Sequence, residues 1–335
     1  MRDLSSRRIP SLISAFHSVC VLLLSVPLLF EYRTRGEPQT SIGKRPVDWL
    51  PHLRDVCLQR LSHVKAASHA WPYYPHAEPS TEATLFATLA LVVHGLPSEL
   101  WEPSWKWVVT LQNPDGSIGV GPHARREGLW LTALLLIVAV QVSDKAVADR
   151  ATRFLEAFQS KAMPQNPQVQ QNNSIIGWPW SADTFGWVEP TAWAVLALQA
   201  AGQGACSRAV EGRRLLLDRM LPSGGWNYGN RVVHDQELLP FADTTALALL
   251  ALYGNSTLDT LKPSIDLLDS TFPGHPSPYS YAWLSMTARL YGKPREQYQQ
   301  SLGDMLVSQS LEETNMAHLA LCIISYAERN PFISS

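Results

Sequence analysis

The sequence predicts an all-α fold, an (α/α)6 barrel or αα-toroid of six helical hairpins, preceded by an N-terminal hydrophobic helix. Three observations predict it. A loop carrying Trp, Gly or Pro leads repeatedly into a short polar helix start and then into a run of Ala and Leu. Between these copies lie segments that are apolar along one face only. The two kinds alternate, six of each. A helix apolar all round must be covered on every side, whereas a one-sided helix faces water. An inner ring within an outer ring satisfies both.

Taken in order, the chain opens with Arg2, Arg7 and Arg8 before an apolar run at 11–30, and Arg33, Arg35, Lys44 and Arg45 follow it. That run is about long enough to cross a bilayer, although His17, Pro27 and its serines weaken it. No A-x-A-like cleavage site follows. Residues 1–30 are therefore expected to be a membrane anchor or an uncleaved signal sequence, and 31–47 a linker. Basic residues on both sides leave the orientation open, with the cytoplasmic face favoured. Residues 48–335 form the toroid domain.

The buried-helix motif recurs at 70–95, 116–140, 177–198, 224–254, 278–292 and 314–327. One-sided helices are expected at 49–64, 102–111, 145–161, 207–220, 258–270 and 294–309. In the third of these, Val147, Ala151, Phe154, Leu155 and Phe158 share a face at helical spacing. The runs at 129–140 and 246–253 are too short to span a membrane. The Gln/Asn-rich stretch at 163–188 exceeds ordinary loop length, and reads as a lid, a docking surface or a disordered insertion.

Composition excludes some functions. The 335 residues carry a formal net charge of −2 with no basic run, so no nucleic-acid partner is expected. Cys20, Cys57, Cys206 and Cys322 are widely spaced with no C-x-x-C pair, which favours a reducing compartment over a disulfide framework. There is no phosphate-cradling glycine loop, no G-x-S-x-G elbow and no H-E-x-x-H. Arg125 and Arg126, with Arg231 apart, give little support to a diphosphate ligand.

In such a ring the inner helices run parallel and share one mouth. Glu82, Glu127, Glu189, Asp243, Tyr279 and Asn315 cluster at their starts, with His318 one turn further in. A carboxylate at a helix start is also the ordinary capping residue; it is the convergence of several on one mouth that makes a candidate site. Around 177–198 stand four tryptophans. Trp178, Trp180 and Trp187 read as wedges seating a loop, while Trp193 and Glu189 are positioned to touch a ligand.

At this point the motifs resemble a known family. "LQNPDGSIG" (111–119) resembles the Gln-x-x-Asp-Gly-Ser-Trp repeat of squalene cyclases and protein prenyltransferase β subunits. Gln112, Asp115, Gly116 and Ser117 match, and Ile118 replaces the tryptophan. "MLPSGGWNYG" (220–229) is similar through Gly224 and Trp226, with Met220, Ser223 and Gly225 in place of the glutamine, aspartate and serine. The resemblance covers roughly residue 49 to the C-terminus and implies a divergent terpenoid-cyclase/prenyltransferase-like toroid. It implies fold more strongly than activity.

The family's zinc prenyltransferases use an Asp-x-Cys pair and a later His. Asp243 stands at that Asp, but Thr245 replaces the thiolate and the next inner helix offers Tyr279, so no metal or other cofactor is expected. The family's class II cyclases protonate an alkene with the middle acid of Asp-x-Asp-Asp-Thr-Ala. In "FADTTA", Asp243, Thr245 and Ala246 match, while Phe241 and Thr244 replace the flanking acids. His234, Asp235 and Glu237 are the nearest substitutes. The resemblance thus implies acid-initiated cyclase or isomerase chemistry at Asp243; Glu189 and Glu82, taken from the clustering at the mouth, join it as candidate catalytic residues. Trp130, Trp193, Phe241, Tyr281 and Trp283 would line the cavity, where aromatic faces stabilise cations; Tyr279 and His318 would complete the lining. The chain is about half a two-domain cyclase.

The expected partner is an apolar, isoprenoid-like small molecule, with the membrane engaged through the N-terminus and a protein partner open. Two alternatives stand beside this reading. One is a non-catalytic lipid- or protein-binding toroid. The other is a carbohydrate-active (α/α)6 hydrolase or lyase, in which Glu82 or Glu127 pairs with Glu189 or Asp243.

Overall fold

The computed structural model describes residues 55, 57–61, 69–270, 272, 277–308, 310 and 313–333. The chain divides into two units, 1–47 and 48–335, and every described residue belongs to the second. The expected N-terminal hydrophobic helix and linker lie outside the described residues. Among those described, no helix is long and apolar enough to cross a membrane.

In chain order the helices are α1 (Thr81–Val93), α2 (Ser98–Leu111), α3 (Leu131–Gln141), α4 (Lys145–Ala157), α5 (Val188–Ala200), α6 (Ser207–Arg219), α7 (Ala242–Leu252), α8 (Leu258–Asp266), α9 (Pro278–Leu290), α10 (Glu296–Ser308) and α11 (Met316–Ser325). The odd-numbered helices are the inner ring. Each packs on the next, and α11 packs on α1 to close it. The even-numbered helices pack outside, each on the inner helix before it, and residues 57–61 supply a further helical stretch ahead of α1. Burial follows the sequence pattern. Every residue of α5 from Val188 to Leu198 is buried, whereas α4 buries only Val147, Ala151 and Leu155 along one stripe.

Several boundaries differ from expectation, among them the end of α8 at Asp266, where a 3-10 turn continues to Asp269. Helix α2 begins at Ser98, four residues early, and carries Pro103 inside it. Helix α4 stops at Ala157, because the chain turns there to meet the loop that follows: Lys161 N donates to Thr184 O. The sequence pattern also missed a small antiparallel hairpin, β1 (Val232–Val233) with β2 (Gln236–Glu237). Its two turn residues, His234 and Asp235, have φ of 50° and 60°, the left-handed geometry of a tight hairpin turn usually taken by Asn and Gly. The Gln/Asn-rich stretch is laid against this hairpin. Val169 bridges Val233, Gln170 Nε2 donates to Asp235, and Asn172 N donates to Asp218.

One joint recurs around the ring. The backbone N–H groups of Trp71, Ile118, Trp178 and Trp226 donate to the hydroxyls of Thr84, Thr132, Thr191 and Thr245 at 2.9, 3.0, 2.9 and 3.0 Å. The three indoles then reach the outer ring, donating to carbonyls of Leu61, Leu155 and Leu216 at 2.7, 3.2 and 2.6 Å. Ile118 keeps the inner half of the joint and has no indole for the outer half. These tryptophans are wedges between the rings. The motif glycines serve the same joint. Gly116 and Gly224 have φ of 94° and 98°, and a Cβ at either would strike the backbone of Arg150 or Pro263 on the next outer helix. Gln112 completes the tie by accepting from Arg150 Nε at 2.8 Å.

Candidate functional site

Glu82, Glu189, Asp243 and Tyr279 are each the second residue of their inner helix. Three of them precede the joint threonine by two residues, and Trp130 holds the corresponding place before Thr132. The repeat therefore aims one side chain per helix at the shared mouth. First-turn carboxyls also face the free N–H groups and the positive end of the helix dipole.

The three acids share one electrostatic environment. Burial, followed by the charges of Asp243 and Glu82, pushes the Glu189 carboxyl up to about 8. The Tyr279 hydroxyl donates to Glu189 Oε1 at 3.3 Å and partly offsets that rise. Burial raises Asp243, whose Oδ1 accepts from Thr244 N at 2.9 Å. Burial raises Glu82 as well, against a hydrogen bond from the Tyr73 hydroxyl. Tyr228 overhangs the cluster: burial and the charges of Asp243 and Glu189 raise it to about 12. Burial and its two acidic neighbours thus favour the protonated form of Glu189, the environment in which a side chain holds a proton ready to give.

Beneath this polar layer lies an aromatic floor. Phe86, Trp193 and Trp283 sit four residues after Glu82, Glu189 and Tyr279, one turn further into the barrel. The Trp193 ring meets Phe86 at 6.0 Å and Trp283 at 5.2 Å. Phe332, brought in by the chain after α11, meets Trp193 at 5.7 Å and Trp283 at 4.9 Å. All four side chains are fully buried. The axis of the barrel is therefore filled below the acids, which lie at its mouth. The Trp193 and Trp283 indole N–H groups face the Glu189 carboxyl and the Tyr279 hydroxyl, yet neither reaches hydrogen-bond geometry with any partner.

The remaining expected residues take different places. Trp130 is half-buried between Trp193, at 6.4 Å, and Trp180, at 5.2 Å. Phe241 is 39% exposed and stacks on the equally exposed Tyr228 at 4.9 Å, forming part of the rim. His318 lies against the Tyr279 ring at 5.4 Å, and burial lowers its pKa. Tyr281 does not join them, because it packs against Tyr298 of the outer helix α10. Glu127 is exposed, and Asn315 caps α11 by accepting from Ala317 N and His318 N. Among the described residues no group of three or more His, Cys, Asp or Glu is placed to hold a metal ion. Sequence reasoning missed Tyr73, Tyr228 and Phe332, which reach the site from loops. It also missed Phe86, although the four-residue spacing after Glu82 repeats that of Glu189 and Trp193.

No protein-family model and no curated protein sequence matches the chain. Solved structures do. The type II terpene cyclase MstE from Scytonema is similar at 14% identity with a TM-score of 0.59, over 86% of this chain and 100% of its own. The α-1,6-mannanase GH76A of Salegentibacter sp. HEL1_6 is similar at 11% identity and 0.58, over 82% and 97%. Salmonella α-2-macroglobulin is similar at 12% identity and 0.51, over 83% of this chain and 17% of that one. At such identities the likeness establishes a toroid of the kind that terpene cyclases and mannanases share, and no particular family. A two-domain architecture is not needed for the terpene-cyclase comparison, since one toroid of this size covers all of MstE.

Proposed function

We propose that the mouth of the toroid is an acid site acting on an apolar, isoprenoid-class ligand, with Glu189 as proton donor. The observation that carries this is the buried Glu189, its pKa pushed up beside Asp243 and Glu82, set over an aromatic floor. Proton donation leaves positive charge on the ligand, and the two neighbouring carboxyls stabilise it. The half-buried Trp130 and the exposed Tyr228–Phe241 pair provide an apolar rim for the rest of the ligand. Asp243, the acid implied by the motif resemblance, becomes the charge that tunes Glu189. The apolar run at 11–30 is proposed to tether the chain at a membrane, where such ligands partition; alkaline extraction of membranes from expressing cells tests that tether.

The test is incubation of the purified protein with geranylgeranyl dihydroxybenzoate, the substrate bound in a structure of MstE, and with plain polyprenols, read by mass spectrometry. Conversion that disappears in Glu189→Gln supports the reading. Binding without conversion would make the protein a carrier, and neither binding nor conversion rejects the isoprenoid class.

A second reading has its own support. A buried acid with a raised pKa beside two further acids, in a fold like that of a mannanase, also suits glycoside hydrolysis, where one acid protonates the leaving oxygen and the other acts on the far side. Release of shorter sugars from α-1,6-mannotriose, lost in both Glu189→Gln and Asp243→Asn, would select it.

A further inference from the structure

We propose that Asn255 is a modification site, carrying an N-linked oligosaccharide at the end of the toroid opposite the mouth. This is independent of the chemistry at the mouth and concerns the compartment in which the toroid lies.

Asn255, Ser256 and Thr257 form an N-x-[ST] acceptor with no proline in the middle. The triplet occupies the turn that joins α7 to α8. Asp243 opens α7 at the mouth, so the eleven residues of that helix, about 16 Å long, hold Asn255 away from it. Asn255 is exposed, and its side-chain amide donates to Tyr253 O at 3.1 Å. A sugar on Nδ2 replaces one of two amide hydrogens, so the other still serves that bond. Gly254 beside it has φ of 71° and open space where a Cβ would stand. Tyr253, two residues before the acceptor, is 38% exposed and is propped by the Tyr291 ring at 5.5 Å. Aromatic faces carry negative charge and so receive the C–H face of a sugar ring. The turn thus offers an acceptor, room for a glycan and an aromatic surface against which to rest it.

The other such triplet, at 172–174, lacks these features. Gln170 stands where Tyr253 does, and Asn172 is tied into its loop. Its Oδ1 accepts from Ser174 N and Oγ at 3.0 and 2.6 Å, and its backbone N–H donates to Asp218.

The step joins Asn255 Nδ2 to the anomeric carbon of a polyprenyl-diphosphate-linked oligosaccharide. The bond from that carbon to the diphosphate oxygen breaks, and the diphosphate leaves with the electron pair. The amide nitrogen gives one proton to a base of the transferring enzyme. Such transfer takes place in the secretory lumen, and the apolar run at 11–30 behind Arg2, Arg7 and Arg8 supplies a route there. Cysteine spacing favours a reducing compartment instead. Cys57 and Cys322 are buried, however, and buried thiols stay inert in either.

The experiment expresses the full chain in a eukaryotic cell with a secretory pathway. The product is treated with peptide-N-glycosidase in heavy-oxygen water, which turns a glycosylated Asn into labelled Asp, and is read by peptide mass spectrometry and gel mobility. Label at position 255 with a mobility shift is the expected result. Asn255→Gln and Thr257→Ala should lose both, whereas Thr257→Ser, which keeps the hydroxyl that caps α8, should retain them. The sugar is attached before folding, so Thr257→Ala reports even if loss of the cap weakens α8. Absence of label at 255 overturns the proposal, whether the chain is bare or is modified at Asn172 alone. Alkaline extraction of the same cells separates the glycan from the membrane tether. A bare chain that stays with the membrane removes the glycan and keeps the tether; a glycosylated chain that is extracted does the reverse.

Discussion

The Tyr279 hydroxyl donates to Oε1 of Glu189 at 3.3 Å, across 90 residues of chain and from α9 to α5. It joins two side chains that occupy the same position in their repeats. The bond is the one direct hydrogen bond from another helix to Glu189 among the described residues, so changes on either side of it should read out on the proton that Glu189 holds.

Glu189→Gln should make the protein more stable at neutral and mildly alkaline pH. The carboxyl is raised to about 8 from an ordinary 4.5, so the folded state keeps a proton that the unfolded chain releases. Between those values folding binds protons, and stability falls as pH rises, by up to about 1.4 kcal/mol per pH unit. The contribution is complete below about 4.5 and gone above about 8. Denaturant midpoints taken from pH 5 to 8.5 should decline in the wild type and decline less steeply in the variant, where the raised Asp243 and Glu82 remain. A parallel decline in both would show that Glu189 is ionised in the folded protein.

Asp243→Asn and Tyr279→Phe should move the Glu189 titration in opposite directions. The first removes a neighbouring charge that raises the pKa, and the second removes a donor that lowers it. Carboxyl 13C shifts followed against pH give the midpoint directly. Movement of the two variants in the same direction would separate Asp243 or Tyr279 from the cluster.

Phe332→Ala should cost about 3–5 kcal/mol, since it empties a fully buried aromatic position against Trp193 and Trp283. Calorimetric or denaturant unfolding measures it. A loss below about 1 kcal/mol would mean that the floor closes without the C-terminal segment.

Gly116→Ala should destabilise by more than about 1 kcal/mol. The residue has φ of 94°, and its new Cβ would meet the Arg150 backbone. The same measurement on Gly254→Ala isolates the packing part, because Gly254 is also left-handed at φ of 71° but has open space around it. Equal losses at the two sites would leave the motif glycine with no role in seating α4.

Much of the site was legible in the residues, for a reason the joint makes clear. A repeat places equivalent positions alike, so Glu82, Glu189, Asp243 and Tyr279 could be set at one mouth from their place after each loop. What misled was the reading of individual aromatics. Tyr281 and Tyr279 are neighbours on one short helix, and only packing against Tyr298 of α10 assigns the former to the space between the rings. Likewise "QNPDGS" resembles a family signature, yet Gln112, Asp115, Gly116 and Ser117 serve the joint: Asp115 Oδ1 accepts from Ser117 N and Oγ at 3.0 and 2.6 Å. Such a motif speaks for fold because its residues hold rings together.

From the sequence alone came the alternation of buried and one-sided helices, and with it the toroid. Periodicity is a local property, and a helix apolar on every side has few places to go. The filled axis and the burial of the acids above it were decided only in the folded chain. Phe332 lies 139 residues from Trp193, and no local pattern relates them. Nor does any pattern say whether a carboxyl surrounded by other carboxyls holds its proton; that depends on distances and burial that exist only once the six inner helices have closed.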